Sequence, residues 1–276
     1  MITPIEFIQD LFNPHLTFLP RALMALLLST LVTGIVGCHV VMRGMVFIGD
    51  AVAHSVFPGI AVAFLLGHNL LVGGLLAGII TAVLVAVLSQ HQKLEEDSVI
   101  GILFAGAFAL GIVIISLSPH YTGSLQDFLF GSIVGISNRD LLTTALVSLV
   151  ILSLLAIFHR HFTTVSLDKE SARAAGLPVL ALDILLYILV TVSVVISLQI
   201  LGNILVLALI VVPPAVARLL CRRLATMLVV SPSFGMGTAT LGLYLSWAFN
   251  LPVGGTIVLT MIAGFMLTWS VVKFRP

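Results

Sequence analysis

Charge is what this 276-residue chain has least of: 8% of its residues are Asp, Glu, Lys or Arg, where a soluble domain has roughly 25%. A net charge of +1 gives no basic footprint for nucleic acid, so none is expected as a partner. Two cysteines, Cys38 and Cys221, are too few for a disulfide framework or a zinc knuckle. There is no Gly-x-x-x-x-Gly-Lys-Ser/Thr run, hence no phosphate-binding loop for ATP. A His-Glu-x-x-His motif is also missing, and no apolar run holds the second deep acid that a carboxylate dyad needs, which argues against an intramembrane enzyme. The first residues lack the basic region and small-residue cleavage site of a signal peptide and are expected to stay on the mature protein. With no fixed-period repeat, low-complexity tract or linker, residues 1–276 read as a single transmembrane domain.

What fills the chain is apolar: 60% hydrophobic residues and a mean hydropathy of +1.25. At about 20 residues per crossing, the runs 20–42, 47–66, 70–89, 99–117, 140–158, 180–201, 203–220, 227–248 and 255–272 predict an all-α polytopic bundle of nine transmembrane helices. Eight are possible, because the second run carries Pro58-Gly59 and the seventh Pro213-Pro214, either of which can break, tilt or re-enter. Residues 1–19 predict a short interfacial segment with Ile5, Ile8, Leu11 and Phe12 at helical spacing, a frayed terminus being the alternative. Residues 118–138, with Pro119 and the patch Phe128-Leu-Phe130, read as a loop with a short helix. An outward N-terminus places ten basic residues inside (Arg43, Lys93, Arg160, Lys169, Arg173, Arg218, Arg222, Arg223, Lys273, Arg275) and only Arg21 and Arg139 outside. Nine crossings preserve that bias and eight spoil it. Gly73, Gly74, Gly78 and the glycines from Gly101 to Gly111 mark close packing faces.

Polar chemistry inside the spans is concentrated at Asp50 and His54, which a helix stacks on one face. A carboxylate in a membrane is costly and by default a functional clue. Carboxylate oxygen with imidazole nitrogen suits Zn²⁺, Mn²⁺ or Fe²⁺ better than Cu⁺. With Arg43 at the cytoplasmic end of the span, seven helical residues would set Asp50 about 10 Å along the axis from it. Two ligands make no cage; the others would come from water, other spans, a second chain, or His39 and Cys38 nearby. The alternative is a helix-capping Asp50 and a packed His54. Asp183 reads as a helix-terminus charge, Glu95-Glu96-Asp97 as a solvated turn, and His15, His68 and His120 as outer-face histidines.

Residues 159–179 form the longest polar stretch between spans. Ser166 or Asp168 can cap a two-turn helix there, with Glu170 in its first turns and Gly176 and Pro178 ending it. Two turns are unstable alone, so this helix should dock on a neighbouring subunit or on the protein's own helix ends.

Four pieces, Arg43-Gly-Met-Val-Phe-Ile-Gly-Asp-Ala-Val-Ala-His-Ser-Val-Phe-Pro-Gly59, Leu167-Asp-Lys-Glu-Ser-Ala-Arg-Ala-Ala-Gly176, Leu201-Gly-Asn-Ile-Leu-Val-Leu-Ala-Leu-Ile-Val-Val-Pro-Pro-Ala215 and Leu251-Pro-Val-Gly-Gly-Thr-Ile-Val258, resemble signatures of the permease subunits of zinc and manganese ATP-binding-cassette importers. The tandem Pro213-Pro214 departs from a single proline expected there. The resemblance implies a type II importer permease of the prokaryotic inner or plasma membrane, multi-pass and without a bound cofactor. Zn²⁺ or Mn²⁺ would be its substrate and Asp50 and His54 the metal ligands. It also implies that residues 166–177, including Asp168, Lys169, Glu170, Arg173 and Gly176, couple to a cytoplasmic ATP-binding subunit. The implied partners are that ATPase, an extracytoplasmic metal-binding protein, a second copy of the permease as a homodimer, and membrane lipid. Two rivals stand beside this: a permease for an iron chelate or cobalamin, and an ion-coupled secondary transporter with Asp50 as proton carrier.

Overall fold

The computed structural model describes residues 3–45, 47–90, 96–117 and 135–274. Residues 118–134 of the expected loop, with His120 and the Phe128 patch, lie outside the described residues, as do Lys93, Glu95 and Arg275. Helix α1 (Pro4–Leu11) is followed by a 3-10 turn (Pro14–Leu16) and then α2 (Phe18–Met42), α3 (Ile48–Ser55), α4 (Phe57–Leu65), α5 (Leu70–Leu88) and α6 (Glu96–Ser116). After the 118–134 stretch come α7 (Asn138–Leu167), α8 (Lys169–Ala174), α9 (Val179–Leu201), α10 (Asn203–Leu220), α11 (Leu224–Phe249) and α12 (Val253–Lys273). Among the described residues nine segments are long and apolar enough to span a membrane, α3 and α4 together making the second.

The apolar runs become helices because a bilayer offers no other partner for backbone N–H and C=O groups. Some hydroxyls in the runs are satisfied the same way, Thr30 Oγ1 donating to the Leu26 carbonyl at 2.6 Å and Thr33 Oγ1 to that of Ser29 at 2.7 Å. Ser29 Oγ and Thr191 Oγ1, in contrast, are buried without a hydrogen-bond partner among the described residues. Two helices form the centre. In α2 and α9 67% of the apolar window is buried, against 11% in α12, which lies at the periphery. Around α2 pack α11, α10, α7 and α9, while α9 also packs on α5.

The helix ends sort as alternating crossings require. At one end Arg43, Ser166, Lys169, Asp183 and Glu96 bond to one another. At the other, Asn69, Arg139 and Gln199 line a polar cavity of about 350 Å³, and the Trp247 indole N–H donates to Asp10 at 2.9 Å. α1 exists as expected, with a Thr3–Glu6 capping box. Its buried residue is Phe7, edge-on to Tyr244, whereas Ile5, Ile8 and Phe12 are exposed.

The two proline-bearing spans behave differently. The second breaks at Val56, just before Pro58. The seventh does not: α10 runs unbroken through Pro213 and Pro214. Proline at 214 removes the amide that would serve the Ile210 carbonyl. That oxygen instead faces Gly37 of α2, where a Cβ would come within 2.2 Å and only a Cα–H can fit. The polar stretch 159–179 also needs correction. Residues 159–167 continue α7 to Leu167, leaving only α8 as the separate helix.

These contacts define a test by substitution. Gly37→Ala should destabilise the detergent-solubilised protein by about 1–3 kcal/mol, as overpacking does, and lower its melting temperature. Gly101→Ala, with nothing within 4 Å of the added carbon, should leave that temperature unchanged or raised.

Candidate metal site and the helix at the basic end

The chain reaches the site through a turn, not a continuous helix. α2 stops at Met42, and Gly44 takes a left-handed φ of 75°, a conformation glycine adopts freely. The Met45 amide closes back on the Val40 carbonyl at 3.2 Å. Asp50 therefore stands in the first turn of α3, roughly 3 Å along its axis from Ile48 at 1.5 Å per residue, and not 10 Å along one helix from Arg43. α3 lies against α10 because residue 49 is glycine: a Cβ there would meet the Ile210 side chain at 2.8 Å.

Asp50 and His54 share a face as their spacing requires. The imidazole Nδ1 lies 2.9 Å from the Asp50 backbone carbonyl and 3.5 Å from Asp50 Oδ1. A carbonyl oxygen only accepts, so Nδ1 must carry the proton. With Nδ1 donating, the Nε2 side of the ring is the one left for a metal ion. Side-chain exposures of 38% for Asp50 and 21% for His54 leave both within reach of an ion. The ring is held edge-on by Phe104 and Phe108 of α6, at 5.1 and 5.3 Å between centroids. The carboxylate sits beside Nδ1, so one ion cannot take both Nε2 and this carboxylate unless a side chain rotates.

The other suggested ligands are elsewhere. Cys38 is fully buried, its thiol donating to the Gly34 carbonyl at 3.2 Å and facing the Met227 carbonyl of α11. His39 turns to α7, edge-on to Phe162 and His159. Neighbours on a helix point about 100° apart, so proximity in sequence did not bring either to α3. Among the described residues no three His, Cys, Asp or Glu side chains gather as a metal cage.

At the basic end, Asp168 caps α8. It accepts from the Glu170 amide at 2.9 Å and from the Ser171 hydroxyl. Ser166, the other proposed cap, lies within α7 and accepts from Arg43 Nε at 3.1 Å. Gly176, with φ 79°, ends the turn. Ala172 is fully buried, Arg173 donates to Gln90 at 2.5 Å, and Lys169 bonds Glu96 and lies 3.3 Å from Asp183 Oδ2. Glu170 has interactions of its own. Asp183 is not a simple helix-end charge. It is 1% exposed and accepts from Arg43 at 2.5 Å, while Glu96 accepts from the Tyr187 hydroxyl at 3.0 Å. A lone acid five residues into a long apolar run was the signal for this cluster.

A protein family described as the ABC 3 transport family matches residues 15–272. The chain belongs to that family. As an ABC 3 family member with nine apolar spans among its described residues it is a multi-pass permease of the prokaryotic plasma membrane. It is 36% identical to the manganese transport system membrane protein MntC of Halalkalibacterium halodurans, over 92% of this chain and 87% of that protein. A Haemophilus influenzae membrane protein named for iron transport is 31% identical, over 94% of this chain and 95% of its own length. The solved structure of PsaBC from Streptococcus pneumoniae in complex with Fab superposes with a TM-score of 0.82 at 34% identity, covering 97% of this chain and 95% of that one.

The cap has a pH sign. The Ser171 hydroxyl first, then the Glu170 and Ser171 amides, hold the Asp168 carboxyl below its ordinary value of 3.8. Its contribution is present above that value and lost only as pH falls through the lower folded one. At neutral pH the cap is intact, and Asp168→Ala should speed amide exchange across residues 169–174 while leaving that of α12 unchanged.

Proposed function

We propose that this ABC 3 permease carries Mn²⁺ or Zn²⁺ inward for an ATP-driven importer, with Asp50 and His54 as ligands held only in transit. The observation that carries the reading is the Nδ1–H bond to the Asp50 carbonyl, which leaves Nε2 free to bind while the partly exposed Asp50 carboxylate stands on the Nδ1 side, within reach of an ion once a side chain rotates. An under-coordinated site suits transport, because an ion must leave as readily as it enters. Names of relatives favour manganese, and one named for iron keeps Fe²⁺ within the test.

A second copy facing the first would add another carboxylate and imidazole and complete the ligand set. The exposure of the pair and its two ligands per chain support that homodimer. The chain itself performs no covalent chemistry in this reading. ATP would be hydrolysed by a separate cytoplasmic subunit docked on α8, and an extracytoplasmic metal-binding protein would deliver the ion at the opposite end. Access alternates between the two sides as the ATPase cycles.

Cells expressing Asp50→Ala or His54→Ala are expected to lose metal accumulation about tenfold or more, since even supporting residues around a metal typically matter by 10–100-fold. Uptake of manganese, zinc and iron is measured separately. Loss of one names the ion; unchanged uptake of all three refutes the site.

A further inference from the structure

The charged cluster at the basic end joins two parts of the molecule that have separate tasks. Asp183 uses one carboxylate oxygen for Arg43, at 2.5 Å, and turns the other to Lys169, at 3.3 Å. Arg43 and Asp183 are 3% and 1% exposed and Lys169 is 29% exposed, so the two cations share an anion that water does not reach, with only the lysine partly screened. Arg43 is the cap residue of α2 and opens the turn into α3. Lys169 is the first residue of α8. The guanidinium also keeps a buried Nη2 with no hydrogen-bond partner, a donor ready for a second arrangement of the carboxylate.

We propose that Asp183 and Lys169 are positioning residues that form a joint, through which displacement of α8 is passed to Arg43 and so to the segment bearing Asp50 and His54. The joint rests on the permease reading above. Moving Lys169 away leaves Asp183 with Arg43 alone; pressing it inward makes both cations compete for one carboxylate. Glu96 links it to the buried Tyr187, holding both Lys169 and the Tyr187 hydroxyl. At the far end of α8, Arg173 on Gln90 keeps the helix from pivoting freely.

The test uses proteoliposomes holding the permease with its ATPase and supplied with Mn²⁺ and the metal-binding protein. Lys169→Gln should lower the ions moved per ATP hydrolysed about fivefold or more, the lower range of coupling between sites, and Lys169→Arg should restore the ratio. The exchange of charges Lys169→Glu with Glu96→Lys keeps the outer pair but sets a carboxylate against Asp183, and should remain uncoupled. An unchanged ratio in Lys169→Gln, full recovery in the exchanged pair, or loss of the assembled complex would each overturn the joint. Transport by the wild type checks the permease reading separately. In the purified permease, which needs no transport, Lys169→Gln should speed amide exchange in residues 43–50 as well as 169–174. Exchange raised in 169–174 alone makes Lys169 a local anchor and sinks the proposal.

Discussion

A guanidinium and a carboxylate that have both left water, Arg43 and Asp183, fix the basic end of this bundle. Taking either charge out alone is expensive, and removing one partner of such a pair typically costs about 3–5 kcal/mol. The pair therefore binds the two central helices, α2 and α9, at a single level. Everything downstream inherits that level: the glycine turn at 44, the start of α3, and the depth of Asp50 and His54. Lys169 and Glu96 bring the cluster to two positive and two negative charges, so it adds no net charge to the apolar interior.

Much of the architecture was legible because a bilayer leaves the backbone few choices. The runs around Leu27, Ile80 and Val190 had to be helices, and their charged flanks had to sort by side. What hydropathy could not read was where helix persists after apolarity ends. His159, Arg160 and His161 looked like the opening of a loop, yet α7 continues because Phe162 and Val165 are still buried and Ser166 meets Arg43. Pro213-Pro214 misled in the other direction. Local sequence says that two prolines strip two carbonyls of their donors; it does not say that Gly37 stands opposite one of them.

The candidate site shows the same division. The i, i+4 spacing was enough to place Asp50 and His54 together, and the carbonyl bond that sets the tautomer follows from that spacing. His39 and Cys38 were attractive only by nearness along the chain. Their directions depend on which neighbours α2 acquires, and those neighbours are α7 and α11. Asp183 needed its partners to be understood: its place inside an apolar run marks an unusual acid, but the run does not name Arg43 and Lys169 as the cations that meet it. Ile210 is similar: its carbonyl rests on Gly37 and its side chain on Gly49, so two glycines far from each other in purpose pack on one residue.

At Gly59 and Gly73 the backbones of α4 and α5 meet so closely that a Cβ on either would lie within 2.0 to 2.4 Å of the other's carbonyl oxygen. Contact that close leaves no room for a side chain between the two helices. The interruption at Val56 lies immediately upstream, between His54 and that contact. Helix α6 packs on both α3 and α4, so the halves of the second span share one wall on either side of Val56, and the candidate pair Asp50 and His54 lies against that wall through Phe104 and Phe108.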